Sequence, residues 1–426
     1  MAQSPFLKRL STLWQTLGPG FITGASDDDP SGIATYTQTG ALFGFTQLWT
    51  ALFTLPFTVV IQEICGRIGM VTGSGLSRII KKHYSRSALY LCVGLLTLAN
   101  TINIGANLGA MAEATQLLVP IPFSLGLLLY TVLLVCLQLF SSYRAYVQIL
   151  KYLTLSLLAY IAVAFIARVN WLTVWYGLIT PQIQWTSDYL FNIVAILGTT
   201  LSPYLFFWQT SEEVEEAVLK RKIKQMGWLI KRVTGSEIHH MRTDTMLGMG
   251  FSNMIMFFII LSAASTLHPA GIRFIETAPQ AALALEPIAG QFASLIFTLG
   301  IVGSGLLSVP ILAGSASYAV AEVFGWREGL YKSPRKAPGF YGTIAGACLL
   351  GLLINFTTIK PFVMLYYTAI LNGVCAPIIL VYIMKISNNS AIMGKHTNSL
   401  ISNFFGWGIA LIMGVAAFAL IIQLLL

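Results

Sequence analysis

Long apolar stretches separated by short polar intervals dominate this chain. A run of about 17 or more apolar residues can cross a bilayer as a helix. Eleven such runs stand out, at roughly 15–42, 47–66, 88–118, 123–140, 148–168, 188–211, 245–267, 290–318, 340–355, 362–384 and 404–426. They lack the polar–apolar alternation of an outer-membrane barrel. The pattern predicts an all-α polytopic membrane protein, with residues 1–426 forming one transmembrane domain and no soluble domain between spans.

Two of the runs are interrupted. The first holds Asp27, Asp28, Asp29, Pro30, Ser31 and Gly32, and the sixth holds Ser202–Pro203. Proline has no amide hydrogen and clashes with the preceding turn, and glycine adds backbone freedom. Both helices are expected to unwind there and free main-chain carbonyls. Irregular backbone is tolerated at membrane depth only where it is buried in protein or lines a cavity. Broken helices at matching places in two halves point to the binding site of a secondary transporter. Five spans separate the breaks, so about 15–168 and 188–384 are expected as inverted repeats, with about 404–426 as an extra helix.

Composition narrows the class. Hydrophobic residues make up 56% and charged residues 10%, against roughly 45–50% and 25% in soluble domains. Mean hydropathy is +0.75. These values exclude a soluble enzyme, a nucleic-acid-binding domain and a disordered chain. The net charge of +9 reads as topology, because basic residues collect in cytoplasmic loops. With the N-terminus in the cytoplasm, 22 of the Lys and Arg residues fall inside and 3 outside. The C-terminus then lies outside. The polar stretch 212–243, acidic first and basic after, suits an exposed cytoplasmic helix that acts as a solvated connector or else in gating or partner contact, and 325–339 reads the same way. The five cysteines show no metal-finger spacing and read as small buried hydrophobes. The first residues show no signal peptide.

An ionisable group inside a span costs roughly 2.5–3.5 kcal/mol on insertion scales, so each one asks for a reason. Glu63 stands four residues before Arg67 and is expected to pair with it. Glu113 reads as a vestibule carboxylate or as an interfacial surface residue. At the first break an acidic side chain beside freed carbonyls makes an oxygen-rich pocket for a cation; the bland alternative is an aqueous loop between two half-length helices. At the second break Thr199, Thr200 and Ser202 offer hydroxyls and carbonyls, unless Pro203 marks a simple kink.

The stretches GPGFITGASDDDPSG, IQEICGRIGMVTG and GTTLSPYLFF resemble the NRAMP divalent-metal transporter family, and the likeness runs over nearly the whole chain. The resemblance implies the LeuT-type fold with an inverted 5+5 repeat and 11 transmembrane helices. It also implies a metal site built from a D-P-G-N break in helix 1 and an A-x-x-M-P-H break in helix 6. Asp29 matches the metal-binding aspartate and Pro30 its proline. Gly32 stands where the family has Asn. Thr199 takes the carbonyl-donating place, Ser202 replaces the methionine, Tyr204 the adjacent histidine, and Gln209 the second histidine. The family's D-L-A-E run in helix 3 aligns with Asn107, Leu108, Gly109 and Ala110, so both carboxylates are absent.

These departures have a chemical direction. Thioether sulfur favours softer transition metals, whereas oxygen ligands suit Mg²⁺, Ca²⁺ or Mn²⁺. Mg²⁺ keeps several waters and is held through one or two carboxylates. The chain therefore resembles the NRAMP-related magnesium transporter branch. Metal ligands are expected at Asp29, Gly32, Thr199 and Ser202. Asp27, Asp28, Tyr204, Asn107 and Asn372 are expected to shape the pocket or its vestibule. All five histidines fall in loops or at span ends, which leaves no titratable relay of the kind proton coupling needs. The expected activity is import of Mg²⁺, and of Mn²⁺ as well, across a cell inner membrane by alternating access without proton coupling. No cofactor is called for, and the expected partners are the divalent ion and the lipid bilayer. The rivals are a proton-coupled Mn²⁺/Fe²⁺ transporter of the same family and a sodium-coupled amino-acid transporter on the same fold. Three aspartates oppose an anionic substrate, and no H-E-x-x-H or other paired catalytic set supports an enzyme.

Overall fold

The computed structural model describes residues 18–140, 158, 160–162, 169–228, 230 and 233–425. Its principal helices are α1 (Pro19–Asp27), α2 (Pro30–Phe43), α3 (Trp49–Thr72), α4 (Leu76–His83), α5 (Arg86–Gln116), α6 (Phe123–Phe140) and α7 (Trp171–Ile179). After these come α8 (Ser187–Thr200), α9 (Pro203–Leu219), α10 (Gly235–Thr266), α11 (Ala293–Phe324), α12 (Pro338–Ile354), α13 (Pro361–Ser387) and α14 (Leu400–Leu425).

Both expected breaks are present and are built alike. Helix α1 stops at Asp27, and α8 stops at Thr200. Two non-helical residues follow each, and a proline opens the next helix at Pro30 or Pro203. Asp29 has extended backbone at the N-cap of α2, and its carboxylate accepts the Gly32 amide. Ser202 holds the same place before α9. Aspartate or serine at the cap followed by proline at the first helical position is a helix start written in the local sequence.

Among the described residues eight helices are long and apolar enough to cross a membrane. The expected span at 15–42 divides into α1 and α2, and 340–355 becomes the shorter apolar α12. The expected span at 148–168 lies almost wholly outside the described residues. The broken helices occupy the middle of the molecule. The segment Ser187–Leu219 is 83% buried in its most apolar window, against 28% for Phe123–Phe140 and 33% for Leu400–Leu425. Exposed Leu128, Leu129, Leu411 and Phe418 lie on those outer helices, where the solvent they meet is lipid.

Helices α1 and α10 pack backbone to backbone. A Cβ added to Gly24 would strike the main chain of Gly248, and one on Gly248 would strike Gly20. Small residues permit this approach, which replaces the hydrophobic drive that lipid does not supply. Asp244 of α10 fixes the register by accepting the Gly18, Gly20 and Phe21 amides at 2.9, 2.8 and 3.3 Å. A carboxylate there also suits the positive end of the α1 dipole.

The two connectors are largely exposed, as expected, but several of their carboxylates are buried. The helix expected from 212 is present as the last turns of α9, to Leu219, but Glu212, Glu213 and Glu215 on it are buried rather than exposed. Polar partners explain the continuation. Gln209 donates to Glu213 at 3.0 Å, and Glu215 accepts the Tyr318 hydroxyl and, at 3.0 Å, the Leu330 amide. In the second connector Glu328 is buried against Arg78 at 2.5 Å. The Glu63–Arg67 pair forms at 3.0 Å, and Arg242 of α10 joins it at 2.8 Å. Glu113 accepts the Ala278 amide at 3.0 Å and so holds the segment between α10 and α11.

Candidate functional site

The two breaks meet. A Cβ added to Gly32 would lie 3.1 Å from the Asp27 carbonyl oxygen and 3.3 Å from Thr199 Oγ1. The Tyr204 hydroxyl donates to the Ser26 carbonyl at 2.9 Å. The first turn of α9 is thereby tied to the last turn of α1, and Gly32 leaves the intervening space free of a side chain.

Asp29 stands at this junction, 1% exposed. One oxygen accepts the Gly32 amide at 2.8 Å. The other accepts the side-chain amides of Asn103 and Asn107, both at 3.2 Å. Residues 103 and 107 are one helical turn apart on α5, so both reach the same point. Asn103 is itself held by Thr368 of α13 at 3.2 Å, and Asn107 reaches Ser308 of α11 at 3.3 Å. Four helices thus set the orientation of one carboxylate.

Asp27 and Asp28 are as buried as Asp29. Ser252 of α10 bonds to both, at 2.8 and 3.2 Å. Asp27 Oδ1, Asp28 Oδ2, Asn107 Oδ1 and Asn372 Oδ1 are buried with no hydrogen-bond partner. Each orphaned polar atom costs on the order of 1–3 kcal/mol. None of the ion pairs among the described residues involves these aspartates. Buried carboxylates without a basic partner are electrostatically prepared for a cation.

At the second break the Ser202 hydroxyl turns back to the carbonyls of Gly198 and Thr199, at 2.6 and 2.9 Å. The Thr199 carbonyl keeps a second lone pair. Asn372 lies buried in α13 and makes no hydrogen bond to Asp29. Among the described residues no three His, Cys, Asp or Glu side chains converge as a metal cage. The donors gathered at Asp29 are carboxylate, amide and hydroxyl groups, a hard set suited to a cation that keeps part of its water.

Sequence reasoning passed over Asn103, Ser252, Ser308 and Thr368. Asn103 carried a usable signal, a second asparagine four residues before Asn107 within an apolar helix. The other three are single hydroxyls in apolar helices, and such residues usually bond their own backbone. A cavity of about 560 Å³ opens at the start of α1, lined in part by Glu213, Glu216, His240 and Asp244. Lys220 and Lys222 also line it, paired with Glu216 and Glu237.

The chain and its fold have counterparts among known proteins. The chain is 23% identical over 398 residues to the divalent metal cation transporter MntH of Erwinia tasmaniensis, covering 92% of this chain and 90% of the relative. With the transporter of that name from Mycobacterium leprae it shares 24% over 423 residues, covering 97% and 92%. These relatives are membrane metal transporters and not enzymes. In three dimensions it resembles a manganese transporter of Eremococcus coleocola with a TM-score of 0.72 at 17% identity, covering 98% of this chain and 87% of that one. The nucleobase-cation-symport-1 transporter Mhp1 superposes at 0.54 and 14% identity, covering 96% and 90%. The two paired breaks thus belong to a LeuT-type fold in a multi-pass membrane protein. The family model described as natural resistance-associated macrophage protein-like matches residues 20–423, and the chain belongs to this Nramp family.

Proposed function

We propose that this protein carries divalent metal ions, importing Mg²⁺ and also Mn²⁺ across a cell inner membrane by alternating access without proton coupling. The observation that carries the reading is the coordination chemistry at Asp29. One carboxylate is oriented by two asparagine amides, beside a break whose side chain at position 202 is a hydroxyl where the family has a thioether. Asp29 binds the ion directly or through water, and main-chain carbonyls near Asp29 and Thr199 complete its shell. Ser202 and Tyr204 shape the pocket, and Asp27 and Asp28 raise the local cation concentration.

The lack of coupling rests on residue chemistry. Position 107 is an amide where the family has a carboxylate, and it cannot take up a proton. The membrane potential supplies about 2.3 kcal/mol per charge per 100 mV, and about twice that for a divalent ion. The basic-residue count supports a cytoplasmic N-terminus and an outside C-terminus. Residues 15–168 and 188–384 serve as the two repeats that rock about the site.

A second reading, a proton-coupled Mn²⁺/Fe²⁺ transporter, draws on the structural neighbour named as a manganese transporter. Proteoliposome flux with a luminal pH dye separates the two. We expect Mg²⁺ uptake with no luminal acidification, abolished by Asp29→Ala in a protein that still folds. Mn²⁺ import that acidifies the lumen, with no Mg²⁺ transport, supports the second reading and rejects the first.

A further inference from the structure

The two short polar connectors next to α5 and α11 fold into one surface. Helix α4 lies between two spans. It buries Leu76, Ile79 and Ile80 and exposes Lys81, Lys82 and His83. An amphipathic helix of this kind rests in the membrane interface. Helix α11 ends at Phe324, where Gly325 takes a left-handed φ of +70° and turns the chain. Lys81 donates to the Val323 carbonyl at 2.7 Å, and Arg78 pairs with Glu328 at 2.5 Å and Glu322 at 3.7 Å. These contacts bring segments 76–88 and 324–340 together around a cleft of about 460 Å³, lined by Arg78, Lys81, Lys82, Glu322 and Gly325.

The exposed charges of the two segments carry one sign. The two segments hold eight Lys and Arg residues and a single acidic residue, Glu328. Glu328 and Glu322 are buried, 2% and 3% exposed, and both are engaged by Arg78. Lys82, Arg86, Arg327, Arg335 and Lys336 are exposed, and none has an ion-pair partner among the described residues. Burial holds the Lys332 ammonium below its ordinary pKa; Arg327 and Arg78 add to the shift, against Glu328 and Glu215. A topological signal requires only that basic residues be counted on one side. It does not require that the carboxylates at the cleft, Glu322 in its wall and Glu328 on the facing segment, be buried and engaged by Arg78 while Lys82 stays exposed.

Phe324 and Trp326 stack beside this cleft with centroids 4.9 Å apart, 62% and 43% exposed. Aromatic rings at the end of a span lie at headgroup depth. Clustered Lys and Arg beside a span attract anionic headgroups. We infer that the cleft between α4 and the end of α11 binds the phosphate headgroup of an anionic phospholipid, with the Phe324–Trp326 pair against its acyl chains.

The test is native mass spectrometry of the full chain in mild detergent, offered equal amounts of phosphatidylglycerol and phosphatidylcholine. The wild type is expected to retain phosphatidylglycerol preferentially, and the preference to fall by roughly fivefold for each basic residue neutralised. The variant K82Q/R327Q/R335Q removes three side chains that have no described ion-pair partner and is expected to lose the preference, whereas K82R keeps it. Should the triple variant fail to fold, K82E and R335E are measured singly, each with the same direction of effect. An undiminished preference in the neutralised variants overturns the proposal. So does complete displacement of the lipid by millimolar inorganic phosphate, which would make the ligand a free anion. Neither result depends on which metal the protein carries.

Discussion

The Tyr204 hydroxyl donates to the main-chain carbonyl of Ser26 at 2.9 Å. This bond joins the end of one broken helix to the start of another across 178 residues of sequence. It occupies a carbonyl one residue before the three aspartates. The two breaks are therefore one structure.

Asn103 and Asn107 orient the Asp29 carboxylate without adding charge. With Asp29 as the proposed metal ligand, partners one layer out of this kind typically contribute about 10–100-fold in metal affinity. Asn107→Ala is expected to weaken Mg²⁺ binding by that range while the thermal midpoint holds. Calorimetry on purified protein reads the effect, and unchanged affinity would remove Asn107 from the site.

Ser202→Met returns a thioether to the second break and frees the Gly198 and Thr199 carbonyls from the serine hydroxyl. Sulfur favours the softer ion. The Mn²⁺-to-Mg²⁺ uptake ratio should rise in paired flux assays. A ratio equal to that of wild type would mean that position 202 does not face the ion.

Glu63 is shared by Arg67 and Arg242. The Arg67 side chain is 3% exposed and also reaches the His396 carbonyl and, at 2.8 Å, Asn398. Glu63→Ala leaves a buried guanidinium without its counter-ion, a loss of about 3–5 kcal/mol. The melting temperature in detergent should drop markedly, and Glu63→Ala/Arg67→Met should recover part of it. No recovery would show that the pair is not the source of the loss.

Gly24→Ala forces the α1 and α10 backbones apart. Overpacking of this kind costs about 1–3 kcal/mol. Gly250 lies on α10 with nothing within 4 Å of an added Cβ, so Gly250→Ala serves as the control and should be neutral or stabilising. Equal melting shifts for the two variants would argue against the close approach.

Much was legible in the sequence because it depends on local chemistry. The apolar runs follow from the need to satisfy every backbone polar group within lipid. The breaks follow from an Asp or Ser set directly before a proline, with Asp29 alone capping through its side chain, and Glu63 pairs with Arg67 because residues four apart share a helix face. The connectors depart from expectation only at single buried carboxylates, because burial of a carboxylate is decided by distant partners. Glu215 is paired by Tyr318, and Glu328 by Arg78.

The sequence by itself determined the membrane class, the places where helices must break and the charge gathered at the first break. Only the tertiary structure decided that both breaks share one point, that Asn103 and Asn107 reach Asp29, and that Ser252 bridges its two neighbours. The physical reason is range. Caps, prolines and apolar runs act over a few residues, whereas the orientation of a buried carboxylate depends on helices far apart in the chain.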